Sequence, residues 1–342
     1  MLGLSPYQEP LSLAGRNIHA SHAKNPWDAE TSDLEHRILC LEQSPKPPSF
    51  SNLICILQKC RKGRDPSYAK RLKMYMERKN FKGHIVLGNY LVSMLADCGC
   101  LFDAKEIMER LQSRNTYSWN ALILSYIECG KADEVFHLYK TMQSDGLHPT
   151  TYTFVALLKA CGIQKNLEIG RKLQDEVISM GLENDVFVGN ALINMFNKCG
   201  SIVESQEVFD SLGARDVVSW SSMIATYVGH GYYKNAIDFF SQMISEGGLP
   251  NAVTYTISLQ ACNSIRAIET GRYIFADVLK RGLDDDIYVG NASLDMFCKC
   301  GYLEEAQIVF DKLPTHDIVS WNALISGYAQ HGLGDEAFQR FR

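Results

Sequence analysis

Apolar side chains in residues 50–342 follow the period of an α-helix, with breaks at regularly placed glycines. In the segment 116–150, apolar residues are spaced i, i+3, i+4, i+7 from Trp119 and again from Val135, and Gly130 interrupts the pattern. This spacing predicts two amphipathic helices, because it places the apolar residues on one helix face. A glycine after a periodic run is typical of a helix end. The segment therefore predicts an antiparallel helical hairpin.

The hairpin pattern recurs along the chain at an interval of 101 residues. "VGNALINMFNKCG" at 188–200 is echoed by "VGNASLDMFCKCG" at 289–301, and Trp119, Trp220 and Trp321 share the same interval. The unit divides into segments of 35, 35 and 31 residues. These segments are 50–84, 85–115, 116–150, 151–185, 186–216, 217–251, 252–286, 287–317 and a partial one, 318–342.

One hairpin cannot bury its own apolar face, so stacked hairpins are needed to form a core. The repeat therefore predicts an α-solenoid in which the three tryptophans wedge between successive hairpins. Six cysteines share the 101-residue interval, and we interpret them as small buried apolar residues. They are Cys60, Cys161, Cys262, Cys98, Cys199 and Cys300.

Residues 1–49 differ from the repeats, because they contain six prolines and no sustained helical stripe. We expect a flexible leader here. A transit peptide would be rich in arginine and poor in acids, but only Arg16 and Arg37 stand against six acidic residues, so the targeting signal is weak.

Composition excludes several classes of function. The formal net charge is −5, which gives no overall attraction to nucleic acid, and no long apolar run predicts a membrane span. The chain lacks a Cys-x-x-Cys pair, a zinc-deaminase pattern, a phosphate-binding loop and a nucleophile elbow. We expect no enzyme activity, no metal and no cofactor.

The alternation of 35- and 31-residue hairpins resembles the plant pentatricopeptide repeat family, in its variant with long and short repeats. The residues that carry the resemblance include "VVSWSSMIATYVGHGYYKNAIDFFSQM" (217–243) and "FVGNALINMFNKCGSIVESQEVFDSL" (187–212). The resemblance implies an all-α, right-handed solenoid of about nine repeats, the last truncated and without the family's C-terminal extensions. It also implies binding of single-stranded RNA in a mitochondrion or a chloroplast and a role in C-to-U editing or other processing.

The resemblance implies that one base is read per repeat by the fifth residue and the last residue of the hairpin. At the fifth position, Asn resembles a pyrimidine reader and Ser a purine reader. At the last position a carboxylate only accepts hydrogen bonds, which suits uracil or guanine, whereas an amide also suits cytosine or adenine. The expected pairs are Asn89 with Asn115, Asn120 with Thr150, Asn190 with Asp216, Ser221 with Asn251 and Asn291 with Asp317, followed by Asn322 without a partner.

These pairs predict the order pyrimidine, pyrimidine, any base, U, A, any base, U. The long repeats with Ile54, Val155 and Thr256 at the fifth position are left unassigned, with guanine open at the last. An alternative for the last residues is helix capping. The second residues of the hairpins, such as Phe187 and Tyr288, fit either base stacking or core packing.

Residues 50–84 hold ten Lys or Arg against two acids. This excess fits either phosphate contacts or a solvated outer face. The expected partners are single-stranded organellar RNA and editing-complex proteins, with a deaminase supplied in trans and no membrane. The alternative function is a helical-repeat scaffold for protein–protein interaction.

Overall fold

The computed structural model describes residues 34–44, 47–79, 81 and 84–341, and all regular structure within these ranges is helical. The helices are α1 Leu34–Gln43, α2 Phe50–Gly63, α3 Pro66–Arg78, α4 Ile85–Asp97, α5 Leu101–Arg110, α6 Thr116–Glu128, α7 Ala132–Ser144, α8 Thr151–Gln164, α9 Leu167–Ser179, α10 Val186–Lys198, α11 Ile202–Ser211, α12 Val217–Gly229, α13 Tyr233–Ser245, α14 Ala252–Ser264, α15 Ile268–Lys280, α16 Ile287–Cys300, α17 Leu303–Lys312, α18 Ile318–Gln330 and α19 Gly334–Phe341. Each repeat segment from 50–84 onward thus contains two helices, and the predicted hairpins are confirmed.

Local sequence sets the helix boundaries. Gly130 adopts φ 75° between α6 and α7, a left-handed conformation that favours glycine. The first helix of several repeats begins after a polar residue whose side chain accepts a backbone N–H, as Asp216 does from Ser219 at 2.8 Å. Such N-caps satisfy donors that the first turn leaves unpaired.

The hairpins stack so that consecutive first helices, α2, α4, α6 and so on to α18, contact one another directly. We call the surface that these helices present the first-helix face. Below it, Trp119 and Trp220 are only 3% exposed, which confirms their predicted role in the core. Trp321 is 38% exposed. It packs against Phe310, whereas Trp220 is enclosed by two phenylalanine rings.

The short repeats depend on a glycine at the fourth position of the first helix. A Cβ atom at Gly189 would lie 2.5 Å from a methyl carbon of Leu212, and one at Gly290 would lie 2.3 Å from a methyl carbon of Leu313. These distances are below van der Waals contact, so a side chain at either glycine would force the leucine after the second helix to move.

The cysteines and the leader give a mixed outcome. Cys60, Cys161 and Cys262 are fully buried and Cys98 nearly so, whereas the other two of the set are half-buried. Within the leader that the sequence predicts to be flexible, residues 34–43 form α1, which buries Ile38 against the first repeat. Residues 1–33 lie outside the described residues. In the described part of the chain, no helix has both the length and the apolar content to cross a bilayer.

Candidate nucleic-acid interface

Three clefts lie in a row on the first-helix face. They have volumes of about 300, 350 and 550 Å³. The first is formed by α8, α10 and α12, the second by α10, α12 and α14, and the third by α14, α16 and α18. The first two share Asn194, Val218 and Ser222, so they form one continuous groove.

Four of the six fifth residues proposed from the sequence line these clefts. Asn190 lines the first, Ser221 the second, and Asn291 and Asn322 the third. Ser221 and Asn291 are only 8% and 9% exposed, so their side chains form the floor of a cleft. The last residues are exposed, and two of them, Asn251 and Asp317, line the second and third clefts.

The proposed pairs are brought together by hydrogen bonds. In two repeats, the asparagine amide donates directly to the carboxylate of the last residue. Asn190 Nδ2 donates to Asp216 at 3.1 Å, and Asn291 Nδ2 donates to Asp317 at 3.2 Å. Asn120 donates in the same way to the hydroxyl of Thr150 at 3.3 Å.

Ser221 reaches its partner through an intermediate hydroxyl. Its Oγ lies 2.7 Å from the Oγ1 of Thr254, which donates to Asn251 at 2.9 Å. Asn89 and Asn115 are linked in the same indirect way, since Ser118 Oγ lies 2.6 Å from the Oδ1 of Asn89 and 2.9 Å from the Oδ1 of Asn115. All five proposed pairs are therefore connected, directly or through one atom.

In the first pair along the chain, the amide hydrogens of Asn89 have different partners. Asn89 donates its amide hydrogens to the backbone oxygens of Ile85 at 2.9 Å and Ser113 at 3.3 Å, and it is 5% exposed. This amide therefore has no donor left for a base. Asn115 is exposed and caps α6, and its Oδ1 accepts from the backbone N–H of Ser118 at 2.9 Å.

The capping alternative also holds at the other last residues. Asn251 and Asp317 accept the backbone N–H three residues further along, at 3.0 and 2.8 Å. In Asp216 the oxygen Oδ1 takes the cap bond and the bond from Asn190, and Oδ2 takes part in neither. Capping and base contact are thus compatible, since they use different atoms of one side chain.

Hydrogen bonds also set the ionisation of these carboxyl groups. Burial opposes the charged form of Asp216, but bonds from the backbone of Ser219 and the amide of Asn190 outweigh it and lower the pKa. The backbone N–H of Ser320 is the main cause that lowers the pKa of Asp317. Both side chains are therefore anionic acceptors at neutral pH.

The second residues of the first helices have their side chains in solvent, and Phe187, Val218, Tyr288 and Val319 among them line the clefts. Between 45% and 73% of each is exposed, which excludes core packing. They are Val86, Tyr117, Phe187, Val218, Tyr288 and Val319. Flat or branched apolar side chains exposed at regular intervals are suited to stacking against bases.

The positions of unpaired positive charge differ from those indicated by the count of Lys and Arg in residues 50–84. Much of the excess in residues 50–84 is neutralised by acids of neighbouring segments, as in the pairs of Lys73 with Asp103 at 2.5 Å and Arg64 with Glu128 at 3.2 Å. Arg61 and Arg71 have acidic partners as well. The cations that line the first cleft are instead Lys159 and Lys198, which the sequence count did not single out.

The long repeats left unassigned lack this arrangement. The hydroxyl of Thr256 donates to the backbone oxygen of Ala252 at 2.8 Å, within its own helix. Asp286 caps α16 by accepting from Tyr288 and Val289 at 2.9 and 3.1 Å. Val155 lines the first cleft as an apolar wall.

Stacked hairpins with a groove along their first helices define a helical-repeat solenoid. Residues 114–162 and 215–264 match the PPR repeat family, and residues 294–318 and 319–342 match the PPR repeat. The chain therefore carries pentatricopeptide repeats.

Two relatives from Arabidopsis thaliana are similar over most of the chain. The pentatricopeptide repeat-containing protein At4g18520, chloroplastic, is 32% identical over 85% of this chain and 47% of its own length. The putative mitochondrial protein At3g13770 is 32% identical over 96% of this chain and 54% of its own length. The chain thus spans about half the length of these relatives.

The fold also matches a solved structure. The crystal structure of the pentatricopeptide repeat protein PPR10 in complex with an 18-nucleotide psaJ RNA element covers 91% of this chain and 50% of that chain. The TM-score is 0.64 at 19% sequence identity, which shows a shared solenoid fold.

Proposed function

We propose that this chain binds single-stranded RNA in a sequence-specific manner in a plant organelle. The observation that carries the proposal is the row of hydrogen-bonded pairs along the first-helix face, such as Asn190 with Asp216 and Asn291 with Asp317. Each of these two pairs combines an amide with an exposed carboxylate, and the Oδ2 of that carboxylate takes no part in the bond between them. Exposed apolar residues between the pairs supply surfaces for stacking, which is tolerant of sequence.

The resemblance to long-and-short repeat arrays and the organellar relatives support a role as a specificity factor in C-to-U editing or other transcript processing. In this role the chain selects the site and a partner supplies the chemistry. The complex of PPR10, which has a similar solenoid, with an RNA element supports RNA as the ligand.

The test is a binding titration with purified protein and short RNAs. One RNA carries C-C-A-U-A-A-U in the order of the repeats, the second carries the same bases scrambled, and the third carries them in reversed order. We expect the first to bind at least tenfold more tightly than the scrambled RNA. Equal affinity for all three, or no binding, would favour a protein-interaction scaffold.

Editing and location need separate experiments. Loss of the protein in a plant should remove editing at one or a few organellar sites that follow the predicted base order, as measured by sequencing of organellar transcripts. Unchanged transcripts in both organelles would contradict this part of the proposal while leaving RNA binding intact.

A further inference from the structure

A buried hydroxyl accompanies every asparagine or serine at the fifth position that has a following repeat. It belongs to the third residue of the next first helix, and it is 0% exposed in all five cases. These residues are Ser118, Thr153, Ser219, Thr254 and Ser320, which follow Asn89, Asn120, Asn190, Ser221 and Asn291. We call the fifth residue, the last residue and this third residue of the next helix a junction.

The three remaining junctions have an apolar residue in place of the hydroxyl. Leu87, Val188 and Val289 are likewise 0% exposed. They follow the repeats with Ile54, Val155 and Thr256 at the fifth position. The buried hydroxyl is therefore present or absent together with a connected pair on the groove floor.

The junction of Asn291 shows what the hydroxyl does. Ser320 Oγ lies 2.6 Å from Asn291 Oδ1 and 2.9 Å from Asp317 Oδ1, and the shorter distance favours donation to the amide oxygen. The same Oγ accepts from the backbone nitrogen of Asp317 at 3.3 Å. Asn291 Nδ2 donates to Asp317 at 3.2 Å. A flipped amide would turn its oxygen toward the carboxylate, and two acceptors cannot bond each other. Hydroxyl and carboxylate thus fix one orientation of the amide.

The same donor holds two other amides. Thr153 Oγ1 donates to Asn120 Oδ1 at 2.7 Å, and Ser118 Oγ donates to Asn89 Oδ1 at 2.6 Å. At the junction of Asn190, the amide oxygen Oδ1 is buried without a partner in the described residues, and Ser219 Oγ contacts Asp216 at 3.0 Å but not Asn190. Asn190 therefore depends on Asp216 alone, and Asn291 is the junction to test.

We propose that the buried hydroxyl is a positioning residue, which fixes the amide of the preceding repeat in the orientation that reads a base. The proposal rests on the RNA-binding function proposed above. It has a corollary for the repeat 252–286, whose fifth residue Thr256 bonds its own helix and whose following helix carries Val289. This repeat acts as a spacer and does not read guanine.

The experiment compares Ser320→Ala with the conservative variant Ser320→Thr, since threonine serves the same purpose at residues 153 and 254. Val289→Ala is the matched control at a junction without a hydroxyl. Dissociation constants are measured for RNAs with U or C opposite the repeat 287–317. We expect a preference for U of about tenfold in the native chain. Ser320→Ala should reduce it to below threefold, whereas the Thr variant and the Val289 control should keep it.

A merely structural serine would give a different result. Ser320→Ala would then weaken binding of both RNAs by the same factor and leave their ratio unchanged, which would overturn the positioning role. For the corollary, all four bases are placed opposite the repeat 252–286. We expect affinities within about twofold of each other, and a clear preference for guanine would overturn the spacer assignment.

A second measurement does not depend on RNA. In protein labelled with ¹⁵N at asparagine, the side-chain amide hydrogens of Asn291 should exchange slowly in the native chain and in Ser320→Thr, and faster in Ser320→Ala. If the native chain binds no RNA, the proposed function fails, and this exchange still decides whether the hydroxyl holds the amide. Equal exchange in the native chain and the Ala variant would refute that geometry.

Discussion

Replacement of Asp216 by asparagine should change which base its repeat selects while the fold stays intact. The carboxylate has two separable tasks. Its Oδ1 caps α12 by accepting from Ser219 at 2.8 Å and accepts from Asn190 at 3.1 Å. Its Oδ2 remains for the base. In Asp216→Asn, the amide oxygen can still accept the bonds from Ser219 and Asn190. The second polar atom, which is the acceptor Oδ2 in aspartate, becomes the donor Nδ2.

The chain itself shows that the fold tolerates this change. Asn251, one repeat further, caps its helix through Oδ1 at 3.0 Å, and Asn115 does the same at 2.9 Å. Asparagine and aspartate are about equally good N-caps. We therefore expect the free energy of unfolding of Asp216→Asn to stay within about 0.5 kcal/mol of the native value.

The effect on recognition should be larger. Uracil presents a ring N–H to the carboxylate, whereas cytosine presents an acceptor at the same ring position. A well-formed contact to a base edge contributes about 1–3 kcal/mol of discrimination, which corresponds to a ratio of roughly 5 to 150 in Kd. Fluorescence anisotropy with RNAs that carry U or C opposite the repeat 186–216 should show preference moving from U to C.

The control is the reciprocal variant Asn251→Asp, which should move its own repeat from adenine toward guanine and leave the U preference at Asp216 unchanged. The reasoning is refuted if Asp216→Asn weakens both RNAs equally, because Asp216 would then be a cap and nothing more. The native U preference should also be constant from pH 5.5 to 8. The pKa of Asp216 lies below its usual value of 3.8, so the group stays ionised over this range, and its contribution to stability is lost only when the pH falls through that lowered pKa.

Three further predictions concern packing and charge. Trp220→Ala should lower the free energy of unfolding, measured in urea, by about 3–5 kcal/mol. Trp321→Ala should lower it clearly less, because Trp321 is more exposed, and equal losses would contradict the packing described. Gly189→Ala should lower the free energy of unfolding by about 1–3 kcal/mol through overpacking. Gly229→Ala should raise it by up to about 1 kcal/mol, because no atom lies within 4 Å of the added carbon. Lys198→Gln should weaken binding of every RNA alike and lower the slope of log K against log salt by about 1; an unchanged slope would exclude a phosphate contact.

The repeating unit and its helices can be predicted from the sequence because they follow from local rules. Apolar spacing and glycine positions define each hairpin, and the 101-residue interval makes stacking the only way to bury the apolar faces. The burial of Trp119 and Trp220 follows from the same rules. Helix α1 was missed because Ile38 and Leu41 are too few to show a periodic stripe, and only packing against the first repeat explains the burial of both.

The charge of the groove could not be predicted from the sequence, since ion pairs form between residues about 30 or more positions apart. Lys73 reaches Asp103, and Arg64 reaches Glu128, so a local count of residues 50–84 overstates the free charge. The buried hydroxyls were missed for a different reason. The sequence does show Ser118 and Thr153 at the third helical position, but only the coordinates show that they contact the repeat before them.

Repeat symmetry in the fold does not extend to the chemistry of the groove. Residues one interval apart occupy equivalent places in the first and third clefts, but Lys159 becomes Gln260, and Asn194 becomes Asp295. In the third cleft, Asp295 forms an ion pair with Lys299 at 3.0 Å and neutralises its charge. Lys198, which corresponds to Lys299, lines the first cleft together with Lys159. The first cleft thus combines the proposed base reader Asn190 with two cations, and the third has the proposed pair of Asn291 and Asp317 without net positive charge. Affinity for the RNA backbone should therefore be concentrated at the first cleft, while base selection is distributed along the whole array.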